Sequence, residues 1–310
     1  MGTTIEHIDD LKKKIRGLLK EKNAILLAHN YQRAEIQDVA DLCGDSLELS
    51  IKASKTEKDV IVFCGVHFMA ETASILSPNK TVLLPVAAAG CPMADMITAR
   101  ELIEEKKKNP GRVIVSYVNT TADVKAESDI CCTSANVVKV VESIDPDKEI
   151  FMTPDRNLAQ YAKSRTQRRI TWWNGFCPTH NNLKPSQVKK VKAKNPDALF
   201  LAHPECTPEV LALADEIKST SGIIAFIRNS SHKKFIIGTE TGIIHPLKKA
   251  NPDKEFIPAD PDMICANMKK TGLLDVVKAL EQMKTIVKVP EETANRARIA
   301  VEKMLAIPAG

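Results

Sequence analysis

The runs AILLAHNYQ (24–32), VIVSYVNT (113–120) and LFLAHPEC (199–206) decide the fold, because each is a short apolar stretch that empties into a polar one. Runs of this length, rich in Ile, Leu and Val, predict strands buried on both faces, each leading into a functional loop. The first closes on His29 and Tyr31, the second on Tyr117 and Asn119, the third on His203 and Glu205. Tyr117 follows His29 by 88 residues and precedes His203 by 86. The same two intervals separate Ser46, Ser134 and Thr220, in GDSLELS (44–50), CTSANVV (132–138) and STSGIIA (219–225), and they separate Asp41, Asp129 and Asp215. Cys91, Cys177 and Cys265 are spaced by 86 and then 88. Four sets of landmarks on one period predict a triplication whose unit is too long for a solenoid repeat and right for a small domain.

The units run near 20–108, 109–195 and 196–288, with a helical extension over 1–19 and a C-terminal helix and tail over 289–310. Within each, the pattern reads strand, helix, strand, helix, strand; in the first unit these fall at 24–28, 35–54, 59–64, 67–76 and 81–85. The second strands are DVIVFCG (59–65), KEIFMTP (148–154) and KKFIIGTE (233–240), and the third are TVLLP (81–85), RITWW (169–173) and EFIPA (255–259). Apolar strands alternating with helices predict parallel sheets covered on both faces, so the fold class is α/β, three homologous α/β/α domains about a pseudo-threefold axis. KKKNPGR (106–112) and KAKNPDA (192–198) punctuate the boundaries.

The charge balance, 44 Lys and Arg against 39 acids, is dispersed, and no basic block interleaved with aromatics suggests a nucleic-acid surface. The start, MGTTIEHIDD, has acids where a signal peptide needs a basic then an apolar region, and Glu6 where a myristoylation signal needs Ser or Thr. No apolar run is long enough for a membrane span. The expectation is a cytoplasmic protein. In LKKKIRGLLKEKN (11–23), Leu11, Ile15, Leu18 and Leu19 line one face, which predicts a helix docked on the first domain in preference to a membrane surface.

Eight cysteines in such a chain point to buried thiols, catalysis or a metal site. Strand carboxyl ends and helix N-termini form the binding crevice of an open parallel sheet, and three domains about one axis would aim every landmark at one cavity. Cys91, Cys177 and Cys265, which follow the third strands in AAGCPMADM (88–96), NGFCPTH (174–180) and DMICANM (262–268), could hold three irons of a 4Fe-4S cluster and leave the fourth open as a Lewis acid; buried structural thiols are the alternative. Cys43, Cys64, Cys131, Cys132 and Cys206 lack a threefold cysteine register and read as packing. Ser46, Ser134 and Thr220 each precede a helical run, which suggests N-caps that also present an anion site. His29 and His203 taken singly could be ordinary strand-end histidines. Glu205 is the one carboxylate at its register position, as a catalytic base should be.

AHNYQ (28–32), GDSLELS, AGCPMADM (89–96), SYVNTTADVKA (116–126), CTSANVV, NGFCPTH, HPEC (203–206), GTETGIIH (238–245) and CANMK (265–269) resemble the quinolinate synthases of bacteria and archaea over about residues 20–290. The resemblance implies a pseudo-threefold fold and an oxygen-sensitive 4Fe-4S cluster on Cys91, Cys177 and Cys265. It implies that His29, Ser46, Tyr117, Asn119, Ser134, His203, Glu205 and Thr220 contact iminoaspartate or later intermediates, with Tyr31 and His180 completing the site. Catalysis would fall to Glu205, Tyr31, Tyr117 and His203. The reaction implied condenses iminoaspartate with dihydroxyacetone phosphate, the imine coming from an L-aspartate oxidase or an aspartate dehydrogenase. Long members carry C-x-x-C-x-x-C at the last cysteine, where this chain has CANMKK (265–270), so a disulfide switch is not expected there. An aconitase-like hydro-lyase and an iron–sulfur sensor are the competing readings.

Overall fold

Every residue of β1 (Ala24–His29) is buried, which is why it reads as an unbroken apolar run and not as an alternating one. The computed structural model, which describes residues 5–309, pairs β1 in parallel with β2 (Leu42–Gly44) on one side and β3 (Val60–Cys64) on the other, with β4 (Thr81–Leu83) beyond. The second sheet repeats this with β5 (Val113–Tyr117), β6 (Ile130–Cys132), β7 (Ile150–Thr153) and β8 (Ile170–Trp172). The third does so with β9 (Leu199–Ala202), β10 (Glu216–Ile217), β11 (Lys234–Gly238) and β12 (Glu255–Pro258). Three four-stranded parallel sheets with flanking helices make the chain the three-unit α/β fold that the repeat predicts.

Each sheet has one strand more than expected. The helix predicted over 35–54 is two helices, Ala34–Val39 and Ser46–Lys55, with the edge strand β2 between them. Asp41 causes the break: its carboxylate accepts the Leu26 N–H at 2.8 Å, and its own N–H reaches the Leu26 carbonyl at 2.9 Å, which draws the chain into the ladder. Asp129 clasps Ile114 and Asp215 clasps Phe200 in the same way, each carboxylate at 2.7 Å from the strand amide. These three aspartates, each just before an edge strand, therefore sit beside the middle of the central strands and pin the edges. The expectation that all repeated landmarks face the crevice is wrong for them.

The N-terminal helix Ile5–Glu21 buries Leu11, Ile15 and Leu19 against Leu26, Val60 and Val62 of the first sheet, and the helix Leu273–Gln282 completes that layer with Leu273, Val276, Val277 and Leu280. The apolar face of this basic helix is thus spent on packing. Residues 1–4, on which the reading of the N-terminus partly rests, lie outside the described residues. The helix Glu291–Leu305 sets Ala294 and Ala297 against Ile75 and Ala122, bridging the first and second units, and Arg298 Nε donates to the Ile75 carbonyl at 2.9 Å. Among the described residues no helix is long and apolar enough to cross a membrane.

Candidate active site

The carboxyl ends of β1, β5 and β9 meet at one cavity of about 70 Å³, and its wall takes residues from all three units. His29 ends β1, Tyr117 ends β5, and His203 follows β9 directly. All ten residues expected to act on substrate line this cavity: His29, Tyr31, Ser46, Tyr117, Asn119, Ser134, His180, His203, Glu205 and Thr220.

Two units share a turn. His29 Nδ1 accepts the Tyr31 N–H at 3.1 Å, and His203 Nδ1 accepts the Glu205 N–H at 3.3 Å. An imidazole that accepts at Nδ1 carries its proton on Nε2, so the turn fixes the tautomer while aiming the residue two positions on. Burial pulls both imidazoles down to about 3, with the nearby Glu205 opposing it, and both are neutral at physiological pH. In the second unit the strand end is a tyrosine, and Thr120 Oγ1 closes the turn by donating to the Tyr117 carbonyl at 3.0 Å.

In the first and third units the capping residue stands one position before the expected one. Asp45 accepts the Leu47 and Glu48 amides, each at 3.0 Å, and forms a capping box with Glu48; Ser219 accepts the Gly222 amide at 3.2 Å. In the second unit Thr133 Oγ1 accepts the Ala135 amide at 3.2 Å, and Asn136 braces the turn by accepting the Thr133 amide at 2.8 Å. Asn136 in turn donates to the carbonyls of Met304 and Ile307, which ties the turn to the C-terminal helix. Ser46, Ser134 and Thr220 are not caps. With that work done by their neighbours, their hydroxyls are free for other partners: Thr220 bonds Tyr31 at 2.8 Å, and Ser134 lines the cavity beside Tyr117.

Glu205 is buried, its Oε2 at 2.7 Å from His180 Nδ1 and 3.4 Å from His203 Nδ1. Burial alone would raise its pKa, but the facing imidazoles and hydrogen bonds from His180 and Tyr117 outweigh that and hold it down to about 2. His180 contributes more than His203, whose Nδ1 is already engaged by the Glu205 amide. The second oxygen, Glu205 Oε1, and the amide oxygen Asn119 Oδ1 are buried with no protein partner. Two orphaned acceptors in one cavity suit a ligand that brings N–H or O–H groups.

Cys91, Cys177 and Cys265, one from each unit, also line the cavity as half-buried free thiols. Burial pushes the Cys91 thiol up to about 12 and raises Cys177 and Cys265 as well, so thiolates here need a bound cation to offset their desolvation. Soft donors delivered by three separate units to one cavity fit an iron–sulfur group. Cys64, Cys131, Cys132 and Cys206 are buried in apolar cores, Cys43 packs at the edge of one, and none of these five lines the cavity. A second donor group overlaps the first: ligand atoms of Cys177, His180 and Glu205 lie within 4.8 Å of one another. The sequence reading missed Glu240, which lines the cavity, accepts the Cys265 amide at 3.1 Å and pairs with Lys269 at 2.8 Å. It also missed Thr239. Both fall in GTETGIIH, so the motif held the signal without saying what it served.

The family described as quinolinate synthetase A protein matches residues 13–306. The chain belongs to that family. It is 57% identical over 300 residues to a quinolinate synthase of Geobacter metallireducens, covering 97% of this chain and 98% of that one. It is 58% identical to one from Geobacter sp. (strain M21), with the same coverage, and 53% identical to one from Methanoregula boonei over 96% of this chain and 98% of the relative. Membership makes the chain an enzyme of NAD biosynthesis that acts on small molecules, and it implies an iron–sulfur cofactor.

Proposed function

We propose that this enzyme condenses iminoaspartate with dihydroxyacetone phosphate to quinolinate, releasing phosphate and water, in the cytoplasm, with a 4Fe-4S cluster held by Cys91, Cys177 and Cys265. The observation that carries the reading is the convergence on one cavity of a cysteine and a polar strand end from every unit. When bound, a cluster with three cysteine ligands supplies an open iron as a Lewis acid for a hydroxyl, carbonyl or carboxylate. Ser46 and Thr220, each in the first turn of a ten-residue helix, with Ser134, bind carboxylate or phosphate oxygens. His29 and His203, neutral and protonated at Nε2, donate hydrogen bonds without adding charge. Asn119 Oδ1 and Glu205 Oε1 accept from the imine nitrogen or a hydroxyl. Glu205 takes the proton that leaves carbon as the enamine attacks and returns one to the departing oxygen, and Tyr31 and Tyr117 close the site. The unstable imine has to come from an L-aspartate oxidase or an aspartate dehydrogenase.

The test is stoichiometry. Anaerobic enzyme given iminoaspartate generated in place should form quinolinate and release inorganic phosphate one for one, and form neither without dihydroxyacetone phosphate. Dehydration of a hydroxy acid without any phosphorylated substrate would instead favour the hydro-lyase reading.

A further inference from the structure

The loop that presents Cys265, residues 260–270, contains no helix or strand, so most of what holds that thiol in place comes from outside it. Its own turn supplies one bond, from the Lys269 N–H to the Cys265 carbonyl at 3.3 Å, as Asp95 does for Cys91 at 3.2 Å and Asn181 for Cys177 at 2.9 Å. The rest comes from GTETGIIH, just past β11. The Thr241 N–H reaches the Met263 carbonyl at 2.9 Å, and Glu240, fully buried, grips the loop with both oxygens. Oε1 accepts the Cys265 N–H at 3.1 Å and the Lys269 ammonium at 2.8 Å, while Oε2 accepts the Gly242 N–H at 2.7 Å and Lys269 again at 3.1 Å. Lys269 Nζ also donates to the Tyr31 carbonyl, and Arg33 Nε donates to the Lys269 carbonyl at 2.7 Å, so the loop is tied to the turn after β1 in the first unit. No side chain fits between these parts: a Cβ at Gly242 would meet Lys269 Nζ at 2.7 Å and Glu240 Oε2 at 2.8 Å.

The two buried glutamates of the cavity are opposites. Glu205 keeps Oε1 without a protein partner, as a group that meets substrate should. Glu240 has both oxygens engaged by the chain, and Lys269 cancels its charge, so it adds no net charge to a cavity that receives thiolates and anions. A buried carboxylate is expensive unless paired and hydrogen-bonded, and here the pairing is spent on one loop. The groups that stand behind a metal ligand set its orientation, and losing one typically costs about 10- to 100-fold in metal affinity.

We propose that Glu240 is a positioning residue for the iron–sulfur group: by holding the Cys265 N–H and anchoring Lys269, it fixes the backbone that aims the third thiol into the cavity. This rests on the reading of Cys265 as a cluster ligand. The tests are Glu240→Ala, which removes both bonds, and Glu240→Gln, which keeps an oxygen for the Cys265 amide, measured beside the parent and Cys265→Ser. The readouts are iron and sulfide content after anaerobic loading, the rate of iron release to a ferrous chelator, and the melting temperature of the cluster-free chain. Glu240→Ala should release iron about 10- to 100-fold faster than the parent, and Glu240→Gln should recover most of that. Glu240→Asp, which keeps the charge but shortens the reach to Cys265, should release iron faster than Glu240→Gln, and it decides the matter if Glu240→Ala does not fold. A merely structural role would lower the melting temperature and leave iron release, followed well below the melt, at the parent's rate. Parental release in Glu240→Ala and Glu240→Asp, or a Glu240→Gln variant as fast as either, overturns the proposal, while loss of the cluster in Cys265→Ser leaves the ligand reading standing. An intact cluster in Cys265→Ser would remove both.

Discussion

Ser219→Ala and Thr220→Ala change adjacent residues and should fail in different assays. Ser219 caps the helix Thr220–Asn229 through its bond to the Gly222 amide at 3.2 Å, and losing an N-cap costs about 1 kcal/mol. Spread over a chain of this size, that is a fall in melting temperature of roughly 2–4 °C. Thr220 caps nothing. Its hydroxyl bonds Tyr31 and lines the cavity, where an anionic substrate group would gain a charge-assisted hydrogen bond of about 1.5–3 kcal/mol. At 1.4 kcal/mol per decade, its removal should raise KM by roughly ten- to a hundred-fold, with little change in melting temperature because Tyr31 keeps its bond to Thr239. Ser134→Ala should behave like Thr220→Ala. Thermal melts and substrate titrations on the anaerobic proteins separate the effects. A large drop in melting temperature with unchanged KM in Thr220→Ala, or a raised KM in Ser219→Ala, would refute this division of labour.

Glu205→Gln should keep the cluster and lower turnover by about 10²- to 10⁴-fold, since it preserves size and removes the proton acceptor; the check is quinolinate formed alongside iron content, and a parental rate would demote Glu205 to a structural role. Asp129→Ala should destabilise by about 1–3 kcal/mol by stranding the Ile114 amide while leaving KM unchanged, and denaturation compared with steady-state kinetics tests both halves. Asp38, exposed at the surface, loses a little hydration but bonds Lys249 and His245, and these outweigh that and hold its carboxyl well below the usual carboxylate range. A depressed acid stabilises above its unfolded value and loses that contribution as pH falls through the folded one. Asp38→Asn should therefore melt below the parent at pH 7, with the gap closing as the pH is taken from about 4 downward; a gap that persists in acid would contradict the sign.

The central strands, the three cysteines and nine of the ten cavity residues were legible because each recurs at intervals of 88 and 86 residues in one order or the other; His180 has no such counterpart and rested on the resemblance alone. Repetition made local chemistry readable. The edge strands β2, β6 and β10 were not, since two or three residues show no periodicity and their pairing is set by the single aspartate just before each, which bonds to the central strand. The caps were misplaced by one position because Ser46 and Thr220 share a register with Ser134, while capping depends on the backbone of the residue just before. Thr239 was visible only as part of GTETGIIH, without its contacts to Tyr31 and His180. Its two partners lie 208 and 59 residues away in the chain, and nothing in a sequence neighbourhood reports a contact made when three domains meet.

The most direct test of the account is the iron and sulfide content of anaerobically purified single variants. The parent should be brown, carry about four irons and four sulfides per chain and lose them in air. Cys91→Ser, Cys177→Ser and Cys265→Ser should each fail to hold an intact cluster, since an alkoxide binds iron poorly where a thiolate belongs. Cys43→Ser, Cys64→Ser, Cys131→Ser and Cys132→Ser should keep it. So should Cys206→Ser, although it sits next to Glu205, because its thiol is buried against the Gly238 carbonyl at 3.5 Å. An intact cluster in all three cavity variants, its loss in Cys206→Ser alone, or a single metal per chain that leaves when His180 is replaced would contradict one ligand from each domain.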